Sequence, residues 1–267
     1  MSRIYTCLGV LAALIFGARA FAAGPMEVRA SLADGAFETA YTQAETLGTA
    51  DGYALAAEIL LSEIMIGEVE KNKKQAKRAR KLAKAGLELE PANQNARLQY
   101  AIADGFVTRE ASDVSAWMKK LPQKTQAIVQ DYRTDFPSDP RGDALLGAWH
   151  LAIARKAKDK NAQKWFGASI VQGRELFQKA RLAEPDDIII SVNFAFGLLA
   201  LDSEDQTTAH IEEARQILTK VTETEPTDFL SRVLKGYAED ALPHMDDRDI
   251  ISDYAGMFMD GERPVFE

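Results

Sequence analysis

The sequence predicts an all-α protein built as an array of antiparallel helix pairs, and three observations carry that expectation. First, Pro91, Pro137, Pro185 and Pro226 stand in one recurring register. Twelve residues before them lie Ala79, Thr125, Gly173 and Ala214, all small, and eight before them lie the apolar Ala83, Val129, Phe177 and Leu218. Ten residues after them come Ala101, Gly147, Ala195 and Gly236, small again. Small side chains let helix backbones approach, the apolar residue fills the space between neighbours, and the proline ends one helix as the turn to the next begins. Second, the corners LELEPANQ, YRTDFPSDP, LAEPDDI and VTETEPTDF set Asn, Asp or Thr just past the proline, where a side-chain oxygen caps the following helix. Third, no glycine-rich or proline-rich linker divides the chain, so the array is expected to be continuous.

The expected helices run over 31–47, 53–69, 73–89, 93–106, 112–135, 141–157, 161–183, 187–202, 206–224 and 228–241. The third carries the basic run EKNKKQAKRARKLAK (70–84), which reads either as a polyanion-binding patch or as a solvated face with Ala76, Ala79, Leu82 and Ala83 turned inward. The eighth opens with Ile188, Ile189 and Ile190, a composition that also suits a buried strand. It stands where NQNARLQYA stands in another unit, and β-branched residues cost only a few tenths of a kcal/mol each in a helix, against roughly 1.5–3 kcal/mol for burying an isoleucine. Helix is therefore expected. The tail, 242–267, breaks the register. It is either a loose acidic segment or a cap over the last unit, with Ile250, Ile251, Tyr254 and Met257 at helical spacing.

The register resembles the tetratricopeptide repeat, through IGEVEKNKKQAKRARKLAKAGLELEP (66–91), DPRGDALLGAW (139–149, with Leu146-Gly147) and FLSRVLKGYAED (229–240). The resemblance covers most of 55–241 and implies a right-handed solenoid over 24–241. Asp143 and His150, and Arg232 and Glu239, stand where the family often has tryptophan and tyrosine. The prolines are separated by 46, 48 and 41 residues, against about 34 in the family, so longer helices or inter-helix loops are expected within each unit. In the family the first helix of each unit forms a concave wall. Here that wall would include Leu98, Ile102, Ala148, Val192, Phe196, Val233 and Tyr237, almost all apolar. The resemblance implies either a groove that takes a partner segment through these residues, or a wall buried by the chain's own second helices or tail.

The opening MSRIYTCLGVLAALIFGARAFAAG has a basic start, an apolar run too short for a membrane span and small-x-small endings, the pattern of a secretory signal over 1–23 with cleavage near Ala22 or Ala23 and no stable membrane insertion afterwards. The alternative is an uncleaved amino-terminal anchor. Cys7 is the only cysteine, so the processed chain would lack thiols and rely on packing. Losing Arg3 and Arg19 takes the formal charge from −8 to −10, which argues against nucleic acid or anionic lipid as the main ligand.

His150, His210 and His244 are scattered, with no pair at metal-ligand spacing, and HMDDRD (244–249) lacks the glycine and terminal glutamate of a calcium loop. The sequence carries no GxSxG elbow, phosphate loop or dinucleotide fingerprint. Trp149 and Trp165 could stack on a ligand such as a sugar, but on amphipathic helices they are expected in the core. The expectation is a periplasmic, or secondarily secreted, non-catalytic scaffold that binds another envelope protein without catalytic residues, metal or cofactor. The alternative is an accessory or solute-binding subunit of an envelope transport system, which would need a closed pocket with convergent polar groups.

Overall fold

Every proline corner ends one helix and begins another. The computed structural model describes residues 24–266; the expected signal segment 1–23, with Cys7, and the final residue lie outside the described residues. Among the described residues all regular structure is helical. In chain order the helices are α1 (Pro25–Ala33), α2 (Phe37–Leu47), α3 (Ala50–Met65), α4 (Asn72–Leu89), α5 (Gln94–Arg109), α6 (Asp113–Met118) and α7 (Leu121–Asp135). They continue with α8 (Pro140–Ala157), α9 (Asp159–Phe166), α10 (Ile170–Ala183), α11 (Ile188–Leu199), α12 (Thr208–Glu223), α13 (Phe229–Ala241) and α14 (Arg248–Asp260), the last preceded by a 3-10 turn at Leu242–His244.

The corners work by capping. Asn93, Asp139, Asp187 and Asp228 each follow the corner proline by two residues. Their side chains accept from the amides of Ala96 (2.9 Å), Arg141 (3.0 Å), Ile190 (2.8 Å) and Ser231 (2.7 Å), each satisfying one orphan N–H of the next helix. The triple isoleucine accordingly opens α11, with Ile188, Ile190 and Val192 buried.

The recurring small residues lie at helix contacts. Ala79, Ala101, Ala195 and Ala214 are buried, as are the apolar partners Ala83, Val129, Phe177 and Leu218. α3 packs on α4, α8 on α10 and α11 on α12, and each pair meets the helices of the next. Gly236 departs from this pattern: a Cβ there would meet nothing within 4 Å.

Three expected helices are broken in two. Gly35 (φ 80°) separates α1 from α2, Lys120 (φ 51°) separates α6 from α7, and Gly167 (φ 69°) lies between α9 and α10. Left-handed backbone ends helical hydrogen bonding at these points. The extra length of two units is thus a short additional helix, α6 or α9, between the two main ones.

Residues distant in sequence hold the two ends of the array together. Phe37 and Phe229 meet edge to face with centroids 5.6 Å apart, and Arg232 Nη2 donates to the Ala33 carbonyl at 3.0 Å. The Tyr237 hydroxyl donates to the Ile66 carbonyl (2.7 Å), and Asn72 Nδ2 donates to the Gly261 carbonyl (2.9 Å). At Gly67 (φ 72°) a Cβ would lie 2.2 Å from the Arg263 amide nitrogen, so backbone touches backbone and only glycine fits. Apolar packing forms a large cluster that runs from Ala101 to Phe258 and two smaller ones around α1–α5.

Candidate functional site

α14 packs on two of the residues that the sequence marks for a partner, Phe196 and Tyr237. Its buried residues Ile251, Tyr254, Ala255 and Phe258 face inward, with Phe258 5.0 Å and Tyr254 5.8 Å from Phe196, centroid to centroid, and Phe258 6.3 Å from Tyr237. Val192 and Phe196 are fully buried, Leu98 and Tyr237 are buried, and Ile102, Ala148 and Val233 are partly buried against the core. These residues therefore meet the chain's own helices where an open groove would have offered them to a partner. The tail covers α11 as well as the last unit, and its register is shifted: Ile250, expected inward, is exposed at 43%.

The positions where the repeat pattern lacks its aromatic residues carry polar anchors. Asp143, buried on α8, is bound by Arg133 of α7 and by Lys179 of α10 (2.7 Å). His150, 4% exposed, accepts the Ser169 amide on Nδ1 at 3.1 Å and so holds the start of α10. Trp149 is buried and donates to the Pro122 carbonyl at 2.9 Å, which ties α8 to α7. Trp165 corrects the expectation for the second tryptophan, because the break at Gly167 leaves it half-exposed on the short α9.

Burial pushes the His150 imidazole down to about 4, because a charged ring would lose water and its acceptor role. The neutral form is favoured in the folded state, so stability is intact above the ordinary value near 6.5 and declines as pH falls towards 4. Between pH 6.5 and 4.5 the loss is expected to reach about 2–3 kcal/mol. Chemical denaturation across that range checks it: His150→Gln, which keeps an acceptor, should show a flatter profile, and equal slopes would refute the assignment.

The remaining polar groups hold helix ends. His210 and Thr207 form a reciprocal cap on α12, each accepting the other's amide at 3.2 Å. In HMDDRD, Asp247 caps α14 and Asp246 pairs with Arg215 (2.6 Å). Arg248 donates to Gln206 Oε1 (2.7 Å) and to the Ser203 carbonyl (2.6 Å). Asp139 lies between Arg141 and Tyr132: burial would raise its carboxyl, but their hydrogen bonds outweigh it and hold the group well below the carboxylate range.

A cleft of about 1100 Å³ lies where the α3–α4 loop, the start of α4 and the C-terminal segment meet. Lys71, Lys73, Lys74, Lys77 and Arg263 line it opposite Glu68, Glu70, Glu110, Asp260 and Glu262. Arg109 stacks on Phe106 at 4.5 Å, donates to Glu110 (3.1 Å) and to the Met259 carbonyl (3.2 Å), and keeps one buried amino group, Nη2, without a partner. Asn72, Arg109, Gly261 and Arg263 escape sequence analysis because nothing local signals that 189 residues of separation close between Asn72 and Gly261. No protein-family model matches the chain, and no curated protein matches it.

Proposed function

We propose that the chain is an exported, non-catalytic binding or scaffold module of the cell envelope, a tetratricopeptide-like right-handed solenoid placed in the periplasm, with secretion as the second location. The observation that carries it is the use of small residues at helix contacts in the proline register, with Phe196 and Tyr237 covered by α14, which leaves the exposed helical surface as the place for partners. Rigid packing preorganises that surface and lowers the entropy lost when a partner docks. The leader-like pattern of 1–23 supports export.

The cleft beside α4 favours a second reading, an accessory or solute-binding subunit of an envelope transport system. Affinity capture from envelope extract, run beside a thermal-shift screen of sugars and organic acids, separates the two. The expected result is a captured envelope protein and no solute shift. A shift of several degrees with a solute and no captured protein would overturn the scaffold reading.

A further inference from the structure

We propose that the outer face of α4 docks an acidic, extended segment of a partner protein. Eight of the chain's 32 basic residues fall within 71–84, and no acid interrupts 71–87, although the whole protein is net negative. Lys73, Lys74, Lys77 and Lys81 are exposed and, among the described residues, have no carboxylate within 4.0 Å. The neighbouring cations are engaged: Arg78 faces Glu45 (3.7 Å) and Tyr41 (2.7 Å), Arg80 faces Asp104 (2.8 Å), and Lys84 faces Glu88 (3.5 Å).

Direct ion pairing does not account for these lysines, although Lys73, Lys74 and Lys77 share the neighbouring cleft with carboxylates. Lys71, Lys73 and Lys74 sit at the positive end of the helix dipole, where each cation costs about 0.3–1 kcal/mol at low salt. No side chain caps that end and its first turn has no acid. A negatively charged ligand relieves this repulsion, whereas a solvated face gains nothing from it.

The geometry selects the ligand class. Lysines four residues apart recur about every 6 Å along a helix, close to the roughly 6.6–7 Å between alternate side chains of an extended strand. Exposed Glu68 and Glu70 lie before the stripe and exposed Glu88 and Glu90 after it, so a flat anionic membrane would meet acids at both ends. Tyr41, beside the stripe, is covered by Arg78 at 4.5 Å, which takes up a ring face that stacking with single-stranded nucleic acid would use.

The inference rests on the scaffold reading and is tested apart from it. A fluorescent peptide of about twelve residues alternating Glu and Ser, titrated with the processed protein, should bind saturably, and binding should weaken at least about fivefold when salt rises from about 50 to about 200 mM. K73Q/K74Q/K77Q/K81Q should lose about tenfold or more in affinity while melting at or slightly above the wild-type temperature, because unfavourable cations leave the helix start. K119Q/K124Q/K160Q/K164Q, with the same change in net charge at other exposed lysines, should bind like wild type. Absence of saturable binding, equal binding by both variants, or tighter binding to phosphatidylglycerol vesicles or oligo-dT would overturn the inference. Envelope capture that succeeds while the peptide fails would refute the α4 site and leave the scaffold reading standing.

Discussion

Replacing Gly147 with leucine is expected to lower the melting temperature by about 10 °C. A Cβ at this site would stand 2.8 Å from the Phe177 ring and 3.0 Å from the Gly173 carbonyl oxygen. The ring is buried and the carbonyl belongs to α10, so neither gives way unless α8 and α10 separate. Overpacking of a closed contact costs about 1–3 kcal/mol and more when backbone must move; about 3 kcal/mol corresponds to roughly 10 °C in a domain of this size. Gly147→Ala should be milder, because the gain in helix propensity offsets part of the clash. Gly236→Ala supplies the contrast at the equivalent register position. Its Cβ enters open space, and the substitution should be stabilising by up to about 1 kcal/mol. Scanning calorimetry of the three variants checks the set. A Gly147→Leu protein that melts with wild type would refute the close α8–α10 contact.

Phe196→Ala should be comparably damaging for the opposite reason. The ring is fully buried in the largest apolar cluster and contacts both Tyr254 and Phe258 of α14. Truncation of such a phenylalanine costs about 3–5 kcal/mol, combining lost transfer energy with the cavity left behind. The urea midpoint should fall accordingly, and amide exchange should accelerate across 248–260 as α14 loses its seat. A loss below about 1 kcal/mol with unchanged exchange would mean that α14 does not depend on this wall. The result also bears on partner binding. Val192 and Phe196 are fully buried, so their truncation should register as lost stability before any change in affinity.

Local chemistry made the helical character readable. A capping residue two positions beyond each corner proline acts on the next three amides, and a small residue at a fixed distance acts on the one helix packed against it; both leave a mark at short range. The triple isoleucine was ambiguous alone and became legible through its place in the register. The breaks at Gly35, Lys120 and Gly167 were harder to see. Two glycines in otherwise helical sequence are common, and a lysine in left-handed conformation has no sequence signature.

The sequence by itself determined the all-helical class, the proline corners with their caps, and most of the small and apolar side chains that lie at helix contacts, Gly236 being the exception. The tertiary structure alone decided that α14 seats on Phe196 and Tyr237, that Arg232 and Tyr237 join the last helices to the first, and that the α4 lysines border a cleft completed by Arg263. The physical reason is range. Periodicity, capping and turn chemistry act over a few residues and are written in order along the chain. The contacts that seat α14 and form the cleft join segments far apart in sequence, and they depend on the packing of every helix between them.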